Sequence, residues 1–556
     1  MRWTFGLLAA AAVVAVAVAC GGGGGSGEVL PPADAGVDAG HDTGADAGND
    51  GGTDAGQDAG YGGIDGGTDA GTVVWTPGDI MTVQDGKGWT FASSGLPSGN
   101  VVGASADENG NIWVAARSNG IYVQRAGAQG FQQFTIADGL HPYGFLPDGS
   151  PADSNPSLSE TPAISITGGP GSSAYVGYQG KGDCEDEWDK QCPDGTAPHS
   201  CAIPSVYKSG DADRVVLNGS GINVAHYDIF SGPGEVTHEQ AGREKLCTIF
   251  RIVWQRGSKW RVGDPNDHGF IWFGGNHGYA MGLADYGGNA ACNGHRGCSG
   301  NLEHSHPAIN DAKGRFLTGD YYGVAVDTVP HVDSSGNTLY DVWFGGKYRT
   351  TRFRFGEELG DFFNAADRTE LYVSRDHNPG NIADDPAAQA AFWNRMDIWP
   401  DPRGERRLIP GPQYWLSQEP DKDNPGDFVI DAARGIAVTK DGSAWIGSAL
   451  NGIRIVDHDG HFLADAKLDN QVLKSNGVGA LAKDPTDESI WVGYLNGGGL
   501  TRLKQDGTVM HYDSAALGSR AGSAVLDIQV QPATATTKRR IIVAFQSGAV
   551  GIYDGD

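Results

Sequence analysis

Apolar and polar residues alternate in three short runs within residues 435–457, as expected for β-strands. Tight-turn pairs separate the runs: Asp441-Gly442 precedes the second, and Asn451-Gly452 precedes the third. Such pairs favour two-residue hairpins, because they tolerate the positive φ angles that these turns require. The segment therefore predicts three antiparallel strands joined by tight turns.

The same pattern recurs through residues 100–556, which makes it an internal repeat. Two further close copies have Trp113 and Trp491 at the position of Trp445, and each continues into an Asn-Gly turn. The four weaker copies centre on Tyr175, Trp272, Trp343 and Ile542. One small sheet cannot bury both of its faces, so seven copies predict seven sheets that stack on each other.

The units at Trp113, Trp445 and Trp491 are similar to the two-component-regulator propeller repeat, in which a turn of the type Asp-x-x-Gly leads into Leu-Trp-Ile-Gly. Residues 95–102, Gly-Leu-Pro-Ser-Gly-Asn-Val-Val, resemble the lead-in of that repeat apart from one extra residue. The resemblance implies an all-β fold, a seven-bladed β-propeller with loop insertions and four-stranded blades. Propellers of this family often form the sensory part of larger signalling receptors.

Ring closure requires one more strand than the last repeat supplies. Residues 550–553 form only the third predicted strand of that repeat, and the sequence ends at Asp556. Residues 89–91, Trp-Thr-Phe, precede the first strand of the first blade and have no place in that blade. We therefore predict that they pair with the last blade and close the ring.

Three insertions lengthen the spacing between repeats, at about 178–205, 280–310 and 357–430. In an antiparallel blade, the connections after the second and fourth strands share one face of the ring. The first insertion follows a second strand, whereas the other two follow third strands and should share the opposite face. The first should therefore lie beside the turns for which we predict binding residues, namely Asn119, His277, Arg349, Asn451 and Asn496.

The N-terminus has the features of an export signal. Arg2 precedes an apolar run over residues 7–19, which is shorter than a membrane span of about 20 residues. Residues 17–20, Ala-Val-Ala-Cys, resemble the lipobox of bacterial lipoproteins. The resemblance implies a signal peptide over residues 1–19 and a lipid anchor at Cys20, in an outer-membrane lipoprotein facing the periplasm or the cell surface. The alternative is an ordinary signal peptide cleaved after Ala19.

Residues 20–72 are a low-complexity segment of glycines and repeated Asp-Ala-Gly-like units. The segment offers no large apolar face to bury, so it predicts a disordered stalk that charge repulsion extends. Calcium binding by its aspartates is the alternative. The propeller is then expected to occupy residues 73–556.

Charge narrows the choice of partner. The chain of 556 residues has a formal net charge of −28. A surface this acidic argues against nucleic acid and against electrostatic docking on anionic lipid. We expect a monomer that binds a protein, peptide or glycan and is held at the membrane through its lipid anchor.

Cysteines and histidines supply the candidate structural and metal sites. Six cysteines follow Cys20, and Cys292 with Cys298 is the predicted disulfide because the two are close in sequence. His304 and His306 could bind zinc or copper with His277 as a third ligand, because side chains two residues apart share one side of a strand. Ordinary hydrogen-bonding histidines are the alternative.

An acidic loop bounded by cysteines is a candidate calcium site. The loop 183–192 holds five carboxylates, but it does not have the alternating ligands and central glycine of an EF-hand. A polar loop held by a disulfide is the alternative. Calcium and zinc are therefore the cofactors to test, and no other cofactor is predicted.

Motifs for a nucleophile elbow and for a phosphate-binding loop do not occur in the sequence. The sequence therefore favours a cell-envelope binding or sensory module without catalysis. The alternative is an extracytoplasmic hydrolase or lyase with its site at the propeller mouth, and a structural surface protein is a third possibility. Converging carboxylates, histidines or a metal in the central pocket would indicate an enzyme, whereas a broad aromatic and polar face would indicate a binding module.

Overall fold

The computed structural model describes side chains for eleven segments and one further residue: 80–143, 160–180, 212–227, 248–258, 265–276, 279–287, 321–327, 342–346, 350, 432–456, 468–534 and 537–555. For the other residues of the strands given below, it describes the backbone alone.

The described residues are almost entirely strands joined by turns. Those of the first half are β1 (Ile80–Val83), β2 (Trp89–Ala92), β3 (Gly103–Ala106), β4 (Ile112–Ala115), β5 (Ile121–Gln124), β6 (Gln132–Phe134), β7 (Ala163–Gly168), β8 (Ser173–Tyr178), β9 (Ala212–Asn218), β10 (Gly221–Phe230), β11 (Ile249–Gln255), β12 (Phe270–Gly275) and β13 (Tyr279–Leu283). They continue with β14 (Asn301–Ser305), β15 (Ile309–Asn310), β16 (Phe316–Leu317), β17 (Tyr321–Val326), β18 (His331–Val332), β19 (Thr338–Gly346), β20 (Thr350–Gly356), β21 (Arg407–Leu408), β22 (Ala433–Val438) and β23 (Ala444–Ser448). The last are β24 (Gly452–Val456), β25 (Phe462–Leu468), β26 (Val478–Lys483), β27 (Ile490–Tyr494), β28 (Leu500–Leu503), β29 (Val509–Tyr512), β30 (Val525–Gln531), β31 (Arg540–Phe545) and β32 (Ala549–Tyr553).

Helical structure in the described segments is limited to single turns. These are α1 (Ser514–Leu517) and the 3-10 turns Ile136–Asp138 and Gly518–Gly522. No helix in the described part of the chain is long and apolar enough to cross a membrane.

Hydrogen bonding groups the strands into six sheets of four or more strands among the described residues, together with the small pair β15 and β16. One of the six sheets has eight strands, because β10 and β14 pair in parallel and join the units β7–β10 and β11–β14. The prediction of seven separate blades is therefore wrong in its count of sheets. The parallel pairing of two outer strands, which repeat spacing does not indicate, merges two repeats into one sheet.

The first strand of each repeat lies at the centre of the ring. Each of these strands contacts the next, and β30 contacts β3 to close the cycle β3, β7, β11, β17, β22, β26, β30. A closed ring of radially stacked antiparallel sheets is a β-propeller. The predicted all-β propeller is thus confirmed for the described residues.

Aromatic side chains on the second strands pack between neighbouring sheets. Four tryptophans of the repeat, Trp113, Trp272, Trp343 and Trp491, are fully buried. Trp113 Nε1 also donates a hydrogen bond to Asp107 Oδ2 at 2.8 Å, which fixes the ring against the turn before its strand. The tryptophans that define the repeat in the sequence are therefore packing residues.

Glycines of the repeat serve either close packing or turn geometry. A Cβ atom at Gly435 would lie 2.5 Å from the backbone nitrogen of Leu481 on the next sheet. Gly120 has a φ of +77°, a conformation that side chains with a Cβ rarely adopt. Inner-strand glycines let the sheets approach, and hairpin glycines let the chain reverse.

The predicted closing strand is confirmed. β2 pairs antiparallel with β32, with Trp89 opposite Tyr553 and Phe91 opposite Gly551. Trp89 is buried, and its ring lies within 6.0 Å of the rings of three aromatic residues, Trp491, Tyr512 and Tyr553. β1 adds a second tie, since it pairs in parallel with β29. The N-terminal segment thus holds the last two sheets together.

We predict that Trp89→Ala lowers the free energy of unfolding by about 3–5 kcal/mol, because it removes a large buried ring at the closure of the propeller. Met81→Ala is the matched control, since Met81 lies on the neighbouring strand β1 with a side chain that is 51% exposed. Urea unfolding followed by tryptophan fluorescence and by circular dichroism would measure both. Equal unfolding midpoints for the two variants would contradict the closing role of β2.

His511 on β29 is a buried histidine. Its Nδ1 lies 2.8 Å from Thr501 Oγ1, and its side chain is almost fully buried. Burial, together with the smaller effect of the positive charge of Lys474, lowers the pKa of His511 from 6.5 to about 4. The unfolded chain therefore binds a proton at pH values between these limits where the folded chain does not.

This difference predicts that His511 destabilises the fold as the pH falls from above 6.5 to about 4. The full loss in the free energy of unfolding is about 3 kcal/mol. The loss disappears at pH values above the pKa that His511 has in the unfolded chain. His511→Asn removes the titrating group, so its stability should fall less over this range than that of the unsubstituted protein. Urea unfolding at pH 7.5 and pH 4.5, which lie roughly at the two ends of the titration, would measure this difference in stability. Parallel losses in both proteins would contradict it.

Candidate functional site

Six of the seven innermost strands carry a β-bulge near their first residue. In each case one residue is skipped in the pairing with the second strand. Bulges redirect side chains and occur often beside functional sites. The skipped residues are Ile164, Phe250, Tyr322, Arg434, Gly479 and Leu526, and all six line one pocket in the central channel.

This channel pocket has a volume of about 100 Å³. It lies at the end of the channel where the innermost strands begin, on the face that carries the turns between second and third strands. Its apolar lining comes from Val102, Ile164, Ile166, Phe250 and Leu526, and its charged lining comes from Arg117, Arg251, Arg434 and Asp527. A pocket of this size fits one side chain or one terminal group of a larger ligand, since whole small-molecule sites are usually about 300–1,000 Å³.

An ion pair crosses the channel at the floor of the pocket. Arg251 on β11 donates to Asp527 on β30, two strands that are not neighbours in the ring. Asp527 Oδ2 also accepts from the backbone N–H of Ala104 at 3.2 Å and from Gln529 Nε2 at 2.8 Å. Gln529 in turn donates to the carbonyl of Ile166 at 2.6 Å. This polar belt links four innermost strands, β3, β7, β11 and β30, across the axis.

Arg117 stands at the side of the pocket in a constrained backbone position. Its φ is +48°, which is uncommon for a residue other than glycine, and its backbone bridges to Ala163 of the next sheet. Burial lowers the pKa of the Arg117 guanidinium. Its Nε has no hydrogen-bond partner among the described residues. A cation is therefore held in the pocket by the backbone and kept partly out of water.

Arg434 adds a third guanidinium to the pocket. It comes from the bulge of β22 and lies over the ring of Tyr322, with Cζ 4.8 Å from the ring centroid. With Arg117 and Arg251, it gives the pocket three cations against the one carboxylate of Asp527 among the described lining residues. Arginines thus outnumber carboxylates among the described lining residues, in a chain whose formal net charge is −28.

A second pocket of about 200 Å³ lies beyond the ion pair, toward the opposite face. Its cations have local partners. Arg256 lies 4.2 Å above the Trp254 ring and 3.9 Å from Glu108, and Lys483 lies 3.5 Å from Glu488.

Three of the five predicted binding residues lie on the face of the channel pocket, and none of the three lines it. Asn119, Asn451 and Asn496 lie in turns between second and third strands, as predicted, and none is among the described lining residues. His277 and Arg349 lie outside the described residues. The five residues remain a prediction for that face.

The candidate metal and disulfide sites also remain predictions. His304 lies on β14, where only the backbone is described, and His306 and His277 lie outside the described residues. The same holds for Cys20, Cys292, Cys298 and the acidic loop 183–192. Among the described side chains, no group of three or more potential metal ligands occurs.

Position-by-position comparison of the repeats in the sequence could have located the pocket. The residue after the bulge is small on four of the six bulged strands, namely Ser165, Gly323, Gly435 and Ala480, and Gly103 takes the same repeat position on β3. On the other two strands it is Arg251 or Asp527, the partners in the ion pair across the channel. Charged residues at positions where the repeat uses small ones would have located the site.

Comparison with known proteins gives similarity in fold alone. No family model matches the sequence, and no curated protein matches it. Sqt1 of Saccharomyces cerevisiae is 10% identical with a TM-score of 0.40, over 86% of this chain and 99% of that one. The extracellular domain of a putative one-component system from B. thetaiotaomicron is 12% identical with a TM-score of 0.37, over 84% of this chain and 40% of that one. A catalytically inactive virginiamycin B lyase from Staphylococcus aureus with quinupristin is 9% identical with a TM-score of 0.38, over 84% and 98%.

We predict that Asp527→Ala lowers the free energy of unfolding by roughly 3 kcal/mol, because it leaves the Arg251 charge and the Ala104 N–H without their shared acceptor. Asp527→Asn keeps an acceptor oxygen and should cost less. Denaturant unfolding of the two variants would rank them. Equal stability of both variants and the parent protein would show that the belt contributes nothing to ring stability.

Proposed function

We propose that this chain is a non-catalytic binding or sensory module that acts outside the cytoplasm, with its ligand site at the channel pocket. The observation that carries the proposal is the convergence of six bulged residues on that pocket. The bulges direct Phe250, Tyr322 and Arg434 toward the channel axis, an arrangement that stacking of the sheets does not itself require. Binding of a protein, peptide or glycan gives these side chains a role.

The chemistry of the pocket supports binding rather than acid–base catalysis. General acid–base work needs groups that exchange protons near the working pH, usually a histidine or a pair of carboxylates. The described lining of the pocket has three arginines and the single carboxylate of Asp527, which already accepts three hydrogen bonds. Arginine stays protonated in proteins, so it binds and orients anions.

The proposed setting of this module follows from the N-terminal sequence. We propose a signal peptide over residues 1–19, lipid attachment at Cys20, and a stalk over residues 20–72 that separates a propeller of residues 73–556 from the outer membrane. A disulfide between Cys292 and Cys298 would suit an exported chain. We also propose that the repeats belong to the two-component-regulator type.

Blocking the pocket tests the proposed site. Leu526→Trp and Ile164→Trp each enlarge a half-buried side chain at the pocket wall, while Met81→Trp makes the same kind of change at an exposed position on β1. Purified residues 73–556 would be screened against a glycan array and a random octapeptide library. Ligands should bind the parent and the Met81 variant equally, and should bind either pocket variant at least tenfold more weakly.

Correct folding of each variant is checked by its melting temperature and circular dichroism. Ligands that bind both pocket variants as tightly as the parent would show that the site lies elsewhere. Failure to select any ligand from either library would also contradict the proposal.

A further inference from the structure

We propose that the channel pocket recognises a peptide carboxylate, with Arg117 as its principal contact. This inference rests on the proposed binding function and specifies the ligand group of that same site. A carboxylate is planar and accepts hydrogen bonds only, which matches the planar, donor-only guanidinium group. Three guanidinium groups line the pocket. One of them, that of Arg251, already binds a carboxylate of the protein itself, that of Asp527.

Charge favours an anionic ligand at this place. Among the described lining residues, Arg251 is paired with Asp527, whereas the Nε of Arg117 has no hydrogen-bond partner, so a carboxylate bound beside Arg117 would compensate its charge. Arg117 is partly buried, which removes its cation partly from water and lowers its pKa. A charge held in such a position gains more from an anionic partner than an exposed charge does. Its Nε lacks a partner among the described residues and can donate to a ligand.

The apolar part of the lining favours a peptide over an acidic sugar. Val102, Ile164, Phe250 and Leu526 surround the charged groups with aliphatic and aromatic surface. The aliphatic part of an amino-acid residue can bury against these side chains, whereas a sugar ring would leave hydroxyl groups without partners there. The pocket volume of about 100 Å³ also suits a single residue.

The ion pair at the floor restricts how a peptide can enter. Arg251 and Asp527 meet across the axis, so an extended chain cannot pass straight through the channel while they remain paired. A chain terminus or a single side chain can enter from the end where the innermost strands begin. The carboxylate is therefore that of a C-terminal residue or of a glutamate or aspartate side chain.

The test uses a random octapeptide library with free carboxyl termini. Peptides selected by residues 73–556 are resynthesised with an amidated C-terminus and, separately, with glutamine or asparagine in place of their acidic residues. At least one of these changes should weaken binding tenfold or more. Loss on amidation identifies a terminal carboxylate, and loss on side-chain neutralisation identifies an acidic side chain.

Substitutions in the protein test the role of individual charged residues of the pocket. Arg117→Gln should weaken binding of the selected peptides at least tenfold, and Arg117→Lys should restore part of the affinity. Arg256→Gln is the matched control, since it removes the same charge from the opposite pocket and should leave affinity unchanged. Asp527→Asn should tighten binding severalfold, because it removes the carboxylate that competes with the ligand. If the ion pair had a purely structural role, Asp527→Asn would weaken binding instead.

Two results would overturn this inference while leaving the proposed site intact. One is selection of peptides whose binding is lost in Leu526→Trp but unaffected by amidation and by side-chain neutralisation. The other is binding of glycans alone, again lost in Leu526→Trp. If no ligand of either class depends on Leu526 or Ile164, the proposed function itself is wrong.

Discussion

Closure of the ring is the constraint on which the other features of this protein depend. Each sheet is too small to bury both faces, so every sheet needs a neighbour on each side. β2 meets that need for the last sheet by pairing with β32, and the Trp89 ring packs among aromatic residues from two sheets. The innermost strands then surround a narrow channel, which can bring together residues as distant in sequence as Arg251 and Asp527.

Close packing of the innermost strands also explains why few of their residues have charged side chains in the channel. Glycine, serine or alanine follows the bulge on four strands and takes the same position on β3, because the neighbouring sheet leaves little space for a larger side chain, as the close approach of Gly435 to Leu481 illustrates. A charged residue can replace a small one only where its charge is satisfied across the channel. Arg251 and Asp527 meet this condition together, which makes the ion pair both a tie across the ring and the floor of a pocket.

The charge of the pocket is opposite to that of the whole chain. The formal net charge of −28 indicates an acidic surface, yet three guanidinium groups converge at one end of the channel. A cationic pocket in an acidic protein selects against large polyanions, which the surface repels, and remains open to a single anionic group on a small or neutral partner. Net charge alone therefore gives an incomplete account of what such a protein binds.

The sequence by itself determined the repeat, its antiparallel strands and the closing role of residues 89–91, because strand alternation and Asn-Gly turns are local properties of the chain. It also placed Asn119, Asn451 and Asn496 in turns of one face, since the strand order within each repeat fixes where its turns lie. Only the tertiary structure showed that β10 and β14 join two repeats into one sheet, because that pairing links segments about 70 residues apart by backbone hydrogen bonds alone. Only the tertiary structure assembled Arg117, Arg251, Arg434 and Asp527 into a pocket, since these residues come from four repeats and meet through the curvature of the ring.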